Sequence, residues 1–354
     1  NPVIAKAHSS HPGTSRLLAE QARAAVEAVG LPPATVQMLY RLSHEDGAYL
    51  VSHPAIGATG YTGARSSGLT LKAAADGAGK PIYLELSSIN PIFILPRALE
   101  SGGEELVGEY VTSVLMGAGQ FCTNPGITVV LASEASGRFI AGAASAFEEA
   151  EPGYLLGERV VSGLGESIEA LVACGAELLT GGKPVEGEGF RFQNTLLRVS
   201  GSDFLQQPEA LQREAFGNAG LIIEAADEGE LIGISKVFEG NLTGCIYSDS
   251  EGGDEALYGP IARSLRRQVG RLLNDKMPTG VAVSPAMNHG GPFPATGHPG
   301  FTAVGIPGSI RRFAALECYD NVREDRLPVE LRDRNPGGGL WRLLDGRWSG
   351  EDVS

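Results

Sequence analysis

Ile82-Tyr83-Leu84-Glu85-Leu86-Ser87-Ser88-Ile89-Asn90-Pro91-Ile92-Phe93-Ile94-Leu95 holds two apolar runs joined by a short connector that ends in proline. Each run is short, apolar and bounded by breakers, the pattern of a buried parallel strand. The spacing predicts strands over Ile82–Leu86 and Ile92–Leu95, with a boundary between two folding units near Ser87–Pro91. Upstream, strands are expected at Pro2–Ala5, Val36–Leu42 and Ile56–Tyr61. Helices are expected at Leu17–Val29, capped by Thr14 or Ser15 and stopped by Gly30, at Ala48–His53, and at Ser67–Asp76, capped by Ser66 or Ser67. Downstream the alternation resumes, with helices at 104–116, 134–150, 166–174 and 228–238 and strands at 128–132, 196–199, 220–223 and 243–247. A long, largely helical stretch over Asp254–Asn274 and a closing strand at Gly280–Val283 complete it. Repeated strand–helix units imply parallel sheets covered on both faces. The fold class is therefore α/β, two doubly wound parallel-sheet domains, followed from residue 288 by a Gly- and Pro-rich tail read as surface or interface loops.

Composition narrows the function. The 354 residues are 42% hydrophobic and 20% charged, enough for large cores and too few charges for a disordered chain. A net charge of -14 argues against nucleic acid or an anionic membrane as partner. No basic leader precedes an apolar core, and no apolar run reaches the roughly 18 residues of a spanning helix. Cys122, Cys174, Cys245 and Cys318 are widely and irregularly spaced, which disfavours disulfides or a zinc site and suits a reducing cytoplasm. The six histidines suggest no metal; His289 and His298 read as tail loop residues.

A few positions can carry chemistry. Cys122 lies in Gly117-Ala118-Gly119-Gln120-Phe121-Cys122-Thr123-Asn124-Pro125-Gly126, a Gly-rich connector that holds a thiol where a cleft can reach it. Burial as a structural cysteine is the commoner fate. Glu85 ends a strand among apolar neighbours, where a raised pKa suits a base that activates water; a solvated strand-end carboxylate is the plainer reading. The Tyr61-Thr62-Gly63-Ala64-Arg65 turn opens a helix whose free N–H groups can meet a phosphate, although it is not GxGxxG. Lys6 follows the first strand and can reach a ribose or phosphate. Glu214 and Phe216 in Arg213-Glu214-Ala215-Phe216-Gly217 offer a ribose acceptor and a flat packing surface.

In this order these motifs resemble the aldehyde dehydrogenase superfamily over nearly the whole chain. Lys6-Ala7-His8-Ser9-Ser10-His11-Pro12-Gly13-Thr14-Ser15, Ser88-Ile89-Asn90-Pro91 and Asn288-His289-Gly290-Gly291-Pro292-Phe293-Pro294 look like its α-ketoglutaric semialdehyde (2,5-dioxopentanoate) dehydrogenase branch and the fatty-aldehyde relatives. The resemblance implies that Cys122 attacks the aldehyde and that Glu85 activates water to release the acyl group. It also implies that Lys6, Ser9, Gly63, Ala64, Leu86, Glu214 and Phe216 bind the cofactor. Residues 1–88 would be a partial dinucleotide-binding (Rossmann-like) domain, 89–287 the catalytic thiol domain and 288–354 a loop and oligomerisation tail of a homodimer or homotetramer. Ser9 replaces an acidic residue of NAD-preferring relatives, so NADP is expected over NAD. Ala64, Ser87 and Asn218 depart from the family pattern. The family's oxyanion-hole asparagine would lie upstream of Asn1, so the sequence reads as N-terminally truncated. The expected substrate is α-ketoglutaric semialdehyde, for which Arg65 and Arg213 are the candidate cations. A long-chain aldehyde, a thiol acyltransferase or thioesterase, and an impaired remnant are the alternatives.

Overall fold

A computed structural model describes residues 1–300, 302–305 and 308–353. It divides into two units, Asn1–Arg312 and Phe313–Ser354. The first opens with β1 (Val3–Lys6), α1 (Pro12–Ala28), β2 (Val36–Leu39), α2 (His44–Ser52), β3 (Thr59–Thr62), α3 (Arg65–Gly77) and β4 (Ile82–Glu85). The pairs β1–β2 and β3–β4 are both parallel. Two caps differ from expectation. Pro12 takes the first helical position of α1, where its fixed φ is already helical, so His11 rather than Thr14 or Ser15 is the N-cap. Helix α3 starts after Ala64, and neither Ser66 nor Ser67 caps it.

The second series is β5 (Ile92–Ile94), α4 (Pro96–Leu115), β6 (Ile127–Leu131), α5 (Glu134–Glu149), α6 (Glu158–Ala173), β7 (Glu177–Thr180), β8 (Thr195–Ser200), α7 (Gly201–Gln206), α8 (Pro208–Leu211), β9 (Ala219–Ala225), α9 (Glu228–Ser235), β10 (Asn241–Tyr247), α10 (Glu255–Gln268) and β11 (Val269–Asn274). Its strands form one sheet in the order β11-β10-β5-β6-β9-β8-β7. All neighbours are parallel except β7, which runs antiparallel to β8 at the edge. Successive strand side chains point to opposite faces, so each strand feeds two cores. Phe93, Val129, Leu197 and Ile223 pack with Leu164 of α6, Phe204 of α7, Leu231 of α9 and Ile261 of α10. Ile92, Ile94, Val130 and Ile222 pack with Tyr110 of α4 and Phe139 of α5. This is the doubly wound architecture.

Two expected elements change. The expected long helix ends at Gln268, and Val269–Asn274 becomes β11 because its backbone completes the ladder of β10, a tertiary gain that local periodicity does not report. Gly280–Val283 is not a strand; Gly280 adopts φ +89° and its N–H binds Thr123 Oγ1 at 3.0 Å. The edge strand β7 has no counterpart in the sequence reading.

The tail is also corrected. Residues 289–297 are not surface loops: His289, Gly290, Gly291, Ala295 and Thr296 are buried. Thr296 bridges Glu85, and Leu86 N–H donates to Ala295 O at 2.7 Å, so this segment extends the edge of β4. Phe301, Ile306, Pro307 and Ser354 of the expected tail lie outside the described residues. In the second unit, β12 (Arg342–Leu344) and β13 (Arg347–Ser349) form a hairpin, and buried Asn335 donates to the carbonyls of Leu340 and Gly350.

Candidate active site

Three separated segments meet at one point. Glu85 ends β4, Cys122 lies just before β6, and His289 lies beyond β11. His289 Nε2 is 3.3 Å from Cys122 Sγ and 3.1 Å from Glu85 Oε1. The His289 and Glu85 side chains are 7% and 11% exposed, so solvent screens them little. The carboxylate stands at the carboxyl end of its strand, as α/β sites favour. The thiol does not: it lies at the amino edge of the seven-stranded sheet, beside the starts of β5, β6, β10 and β11.

The thiol loop is shaped by backbone. Gly117, Ala118 and Gly119 all have φ between +55° and +69°, a run that lifts the chain out of α4. A Cβ on Gly119 would fall inside the van der Waals shell of the Gly217 carbonyl, so the Cys122 loop rests directly on the Glu214–Gly217 loop. Gln120 pins the other side, donating to Tyr154 O at 3.1 Å and accepting from Leu156 N–H at 2.7 Å. Asn90, fully buried, holds the base: its Nδ2 donates to Cys122 O at 3.0 Å and Asn124 O at 2.8 Å. Its Oδ1 accepts from Thr243 Oγ1 at 2.9 Å and Ser88 Oγ at 2.8 Å. Asn241 Oδ1 accepts from the N–H groups of Ile89 and Asn90. The Ser87–Pro91 connector is therefore a buried polar clamp between Glu85 and the thiol loop.

Electrostatics follow from these contacts. The Cys122 hydrogen bond first, then the Glu85 hydrogen bond, push His289 up to about 9 against the opposing effect of burial. Imidazolium is thus the resting form at neutral pH, with one Nε2–H facing both a sulfur and a carboxylate oxygen. Such a group can stabilise negative charge on the sulfur and on Glu85, and it can donate a proton there rather than accept one. By contrast, burial holds the Cys245 thiol protonated, pushed up to about 12. Cys174 caps the end of α6, and Cys318 is exposed in the second unit.

The other expected residues divide into two groups. Thr62 pairs with Glu85 in the β3–β4 register, and Gly63 N–H donates to Glu85 O at 3.1 Å, which puts the turn beside the site. Gly63 has φ +155°, and a Cβ there would sit 2.7 Å from the Tyr61 hydroxyl. Ala64 is the uncapped N-cap of α3, and Leu86 is buried against Gly68. Glu214 accepts from Ser88 N–H at 3.4 Å, and burial pushes it up to about 7 while the Ser88 and Ser87 hydrogen bonds and Arg65 oppose the rise. Phe216 is 40% exposed on the same loop. Lys6 ends β1 and Ser9 follows it, both exposed. Beside them burial, then His11, Lys6 and Arg159, hold His8 below its ordinary pKa.

Three readings need revision. His289, taken as a loop residue, is the hub of the site; the signal available was its place in the Asn288–Thr296 motif. Its approach to Glu85 and Cys122 also gathers three ligand atoms within 4.8 Å of one another, a seat a soft cation can use. Arg65 is paired with Glu239 at 2.8 Å, so it is not a free cation for a substrate, whereas exposed Arg213 donates its Nε to the neutral Ser167 hydroxyl. Asn218 is buried and donates to Phe192 O and Asn194 Oδ1, and the Ser87 hydroxyl serves Glu214, so both departures have structural partners.

Comparison with known proteins gives the family. The aldehyde dehydrogenase family model matches residues 1–253. The chain is 36% identical to alpha-ketoglutaric semialdehyde dehydrogenase 2 of Azospirillum brasilense and 35% identical to alpha-ketoglutaric semialdehyde dehydrogenase of Acinetobacter baylyi. These alignments take in 98% and 97% of this chain, which spans 65% of the length of each relative. Among solved structures, indole-3-acetaldehyde dehydrogenase complexed with NAD+ superposes with a TM-score of 0.73 at 19% identity, over 90% of this chain and 62% of that one. Lactaldehyde dehydrogenase from Escherichia coli superposes with a TM-score of 0.68 at 21% identity, over 82% of this chain and 59% of that one. The chain belongs to the aldehyde dehydrogenase family.

Proposed function

We propose that this aldehyde dehydrogenase oxidises α-ketoglutaric semialdehyde to 2-oxoglutarate with NADP as hydride acceptor. The observation that carries the reading is the line of Cys122, His289 and Glu85, at 3.3 and 3.1 Å, in a chain 36% identical to a dehydrogenase of that semialdehyde. Cys122 is the nucleophile: beside the His289 imidazolium its sulfur gives up its proton to solvent and adds to the aldehyde carbon as a thiohemiacetal. A nicotinamide cofactor bound beside Cys122 would supply the hydride acceptor for that carbon. A thioester on Cys122 remains, and Glu85, relieved of the His289 contact, takes a proton from the water that hydrolyses it.

This chain's residues fit such a cofactor. The first N–H groups of α3, just after the Gly63 turn, carry no side-chain cap, so a pyrophosphate has donors there. Glu214 accepts from ribose hydroxyls, and Phe216 packs beside the ring. Lys6, next to His8 and Arg159 and without the carboxylate that Ser9 replaces, favours a 2′-phosphate. A reducing cytoplasmic setting and a homodimer or homotetramer belong to the same reading. The four free thiols and the exposed Trp341, Leu343 and Trp348 support them.

The test is the initial rate of NADPH formation from 2,5-dioxopentanoate, with a long-chain aldehyde alongside and Cys122→Ala as control. Turnover lost in the variant supports the reading. A folded protein that binds NADP but oxidises neither aldehyde, or one that oxidises only the long-chain aldehyde, overturns it.

A further inference from the structure

Arg271 is a half-buried cation with no carboxylate partner among the described residues. It lies on β11 opposite Thr243 of β10, and Thr243 bonds Asn90, which in turn holds Cys122 O. Paired residues of parallel strands share a face, so the Arg271 side chain leaves the sheet on the side of the thiol loop. Its Nη2 donates to Pro278 O at 3.3 Å and Gly280 O at 3.1 Å, and Gly280 N–H binds the hydroxyl of Thr123, the neighbour of Cys122. Its Nη1 reaches Met287 Sδ at 3.8 Å. Every one of these acceptors is neutral, and the buried Nε has no acceptor at all. Buried guanidinium groups are ordinarily paired, and an uncompensated one is costly. Burial lowers the Arg271 pKa, and the charge of Cys122 acts against that shift, so the guanidinium is within electrostatic reach of the thiol. In a chain of net charge -14, Arg271 stays without a carboxylate partner near the thiol loop, whereas Arg65 is paired with Glu239.

We propose that Arg271 is the specificity-determining residue that binds the carboxylate of the substrate, so the site selects aldehydes that carry an anionic end a few carbons from the carbonyl. This rests on the reading of Cys122 as the nucleophile. With Nη2 held by the loop carbonyls, Nη1 is the nitrogen left to donate a charge-assisted hydrogen bond to a carboxylate, and a neutral aldehyde leaves that charge unmatched. The loop bonds through Nη2 hold the side chain in place before the substrate arrives, which limits the ordering cost of binding.

The experiment compares alkylation of Cys122 by iodoacetate and by iodoacetamide, reagents that differ in charge, in the wild type, Arg271→Met and Arg271→Lys. It needs no cofactor and no turnover. The iodoacetate-to-iodoacetamide rate ratio is expected to fall about tenfold in R271M, which is about 1.4 kcal/mol, and to be largely restored in R271K. A purely structural role of the loop bonds would change both rates together. The ratio of kcat/KM for 2,5-dioxopentanoate over pentanal should fall in parallel. If the wild type oxidises neither aldehyde, the proposed reaction fails while the alkylation ratio still judges Arg271. A ratio within twofold of wild type in folded R271M overturns the assignment. If R271M does not fold, protection of wild-type Cys122 by glutarate against 1,5-pentanediol decides, and equal protection overturns it.

Discussion

Replacing His289 with glutamine removes the imidazolium that lies between Cys122 and Glu85 but keeps a side chain able to hydrogen-bond. A rise from 6.5 to about 9 corresponds to roughly 3.4 kcal/mol in favour of the charged ring, at 1.36 kcal/mol per tenfold. That energy resides in the contacts His289 Nε2 makes with Cys122 and Glu85. Two partners share it, with the Cys122 hydrogen bond the larger contribution. Half of the total, about 1.7 kcal/mol, is roughly a twentyfold effect on a reaction that depends on the Cys122–His289 contact. The assay is pseudo-first-order alkylation of Cys122 by iodoacetamide across pH, with circular dichroism to establish that His289→Gln is folded. At pH near 7 the variant should react about ten- to twentyfold more slowly. The advantage should vanish as pH rises through about 9, where the wild-type ring loses its proton. The same rise sets the sign for stability. A histidine whose pKa is raised by folding contributes fully below its unfolded value of 6.5, and that contribution is lost as pH climbs through about 9. Denaturant midpoints of the two proteins should therefore differ at pH 6 and converge above pH 9. Alkylation rates within twofold at pH 7 would refute the reasoning.

Further expectations follow from the same contacts. Glu214, pushed up to about 7 by burial, accepts ribose hydroxyls better as a carboxylate, so NADP should bind more tightly as pH rises through about 7; Glu214→Gln should bind weakly with a flat profile in calorimetric titration, and a pH slope retained in the variant counts against this. Gly119→Ala combines a left-handed φ with a collision against the Gly217 carbonyl and should lower stability by about 2 kcal/mol or more, read as a clear drop in Tm; an unchanged Tm contradicts the contact. Asn90→Ala strands the carbonyls of Cys122 and Asn124 and should cost about 3 kcal/mol in urea unfolding, with wild-type stability as the contrary outcome. Zn2+ should slow Cys122 alkylation through the Glu85, Cys122 and His289 ligand atoms and EDTA should reverse it, whereas Mg2+ should not act; equal effects of both ions would argue against a thiol–imidazole seat.

The parallel α/β architecture was legible in the sequence because buried strands such as Ile92–Ile94 and Ile127–Leu131 are continuous apolar runs set between amphipathic helices. Cys122 and Glu85 stood out for a similar reason: Gly-rich and strand-end contexts are local, and the chemistry of a thiol and a carboxylate needs no partner to be noticed. What depends on pairing was not legible. Val269–Asn274 reads as helix until β10 offers it a ladder. His289 looks like one more residue of a Gly- and Pro-rich loop until Thr296 bridges Glu85 and carries that loop across the end of β4. Arg65 and Arg213 could not be told from Arg271 by sequence, because a guanidinium is free or engaged only through what folding puts beside it. The sequence by itself carried most of the elements, the family resemblance and the candidate thiol and carboxylate, since each is written in short-range pattern. Tertiary structure decided the third member of the site, the charge state of its imidazole and the identity of the unpaired cation. Those are consequences of distances of a few ångströms between residues more than a hundred positions apart, and Coulomb and hydrogen-bond energies depend on those distances rather than on position in the chain.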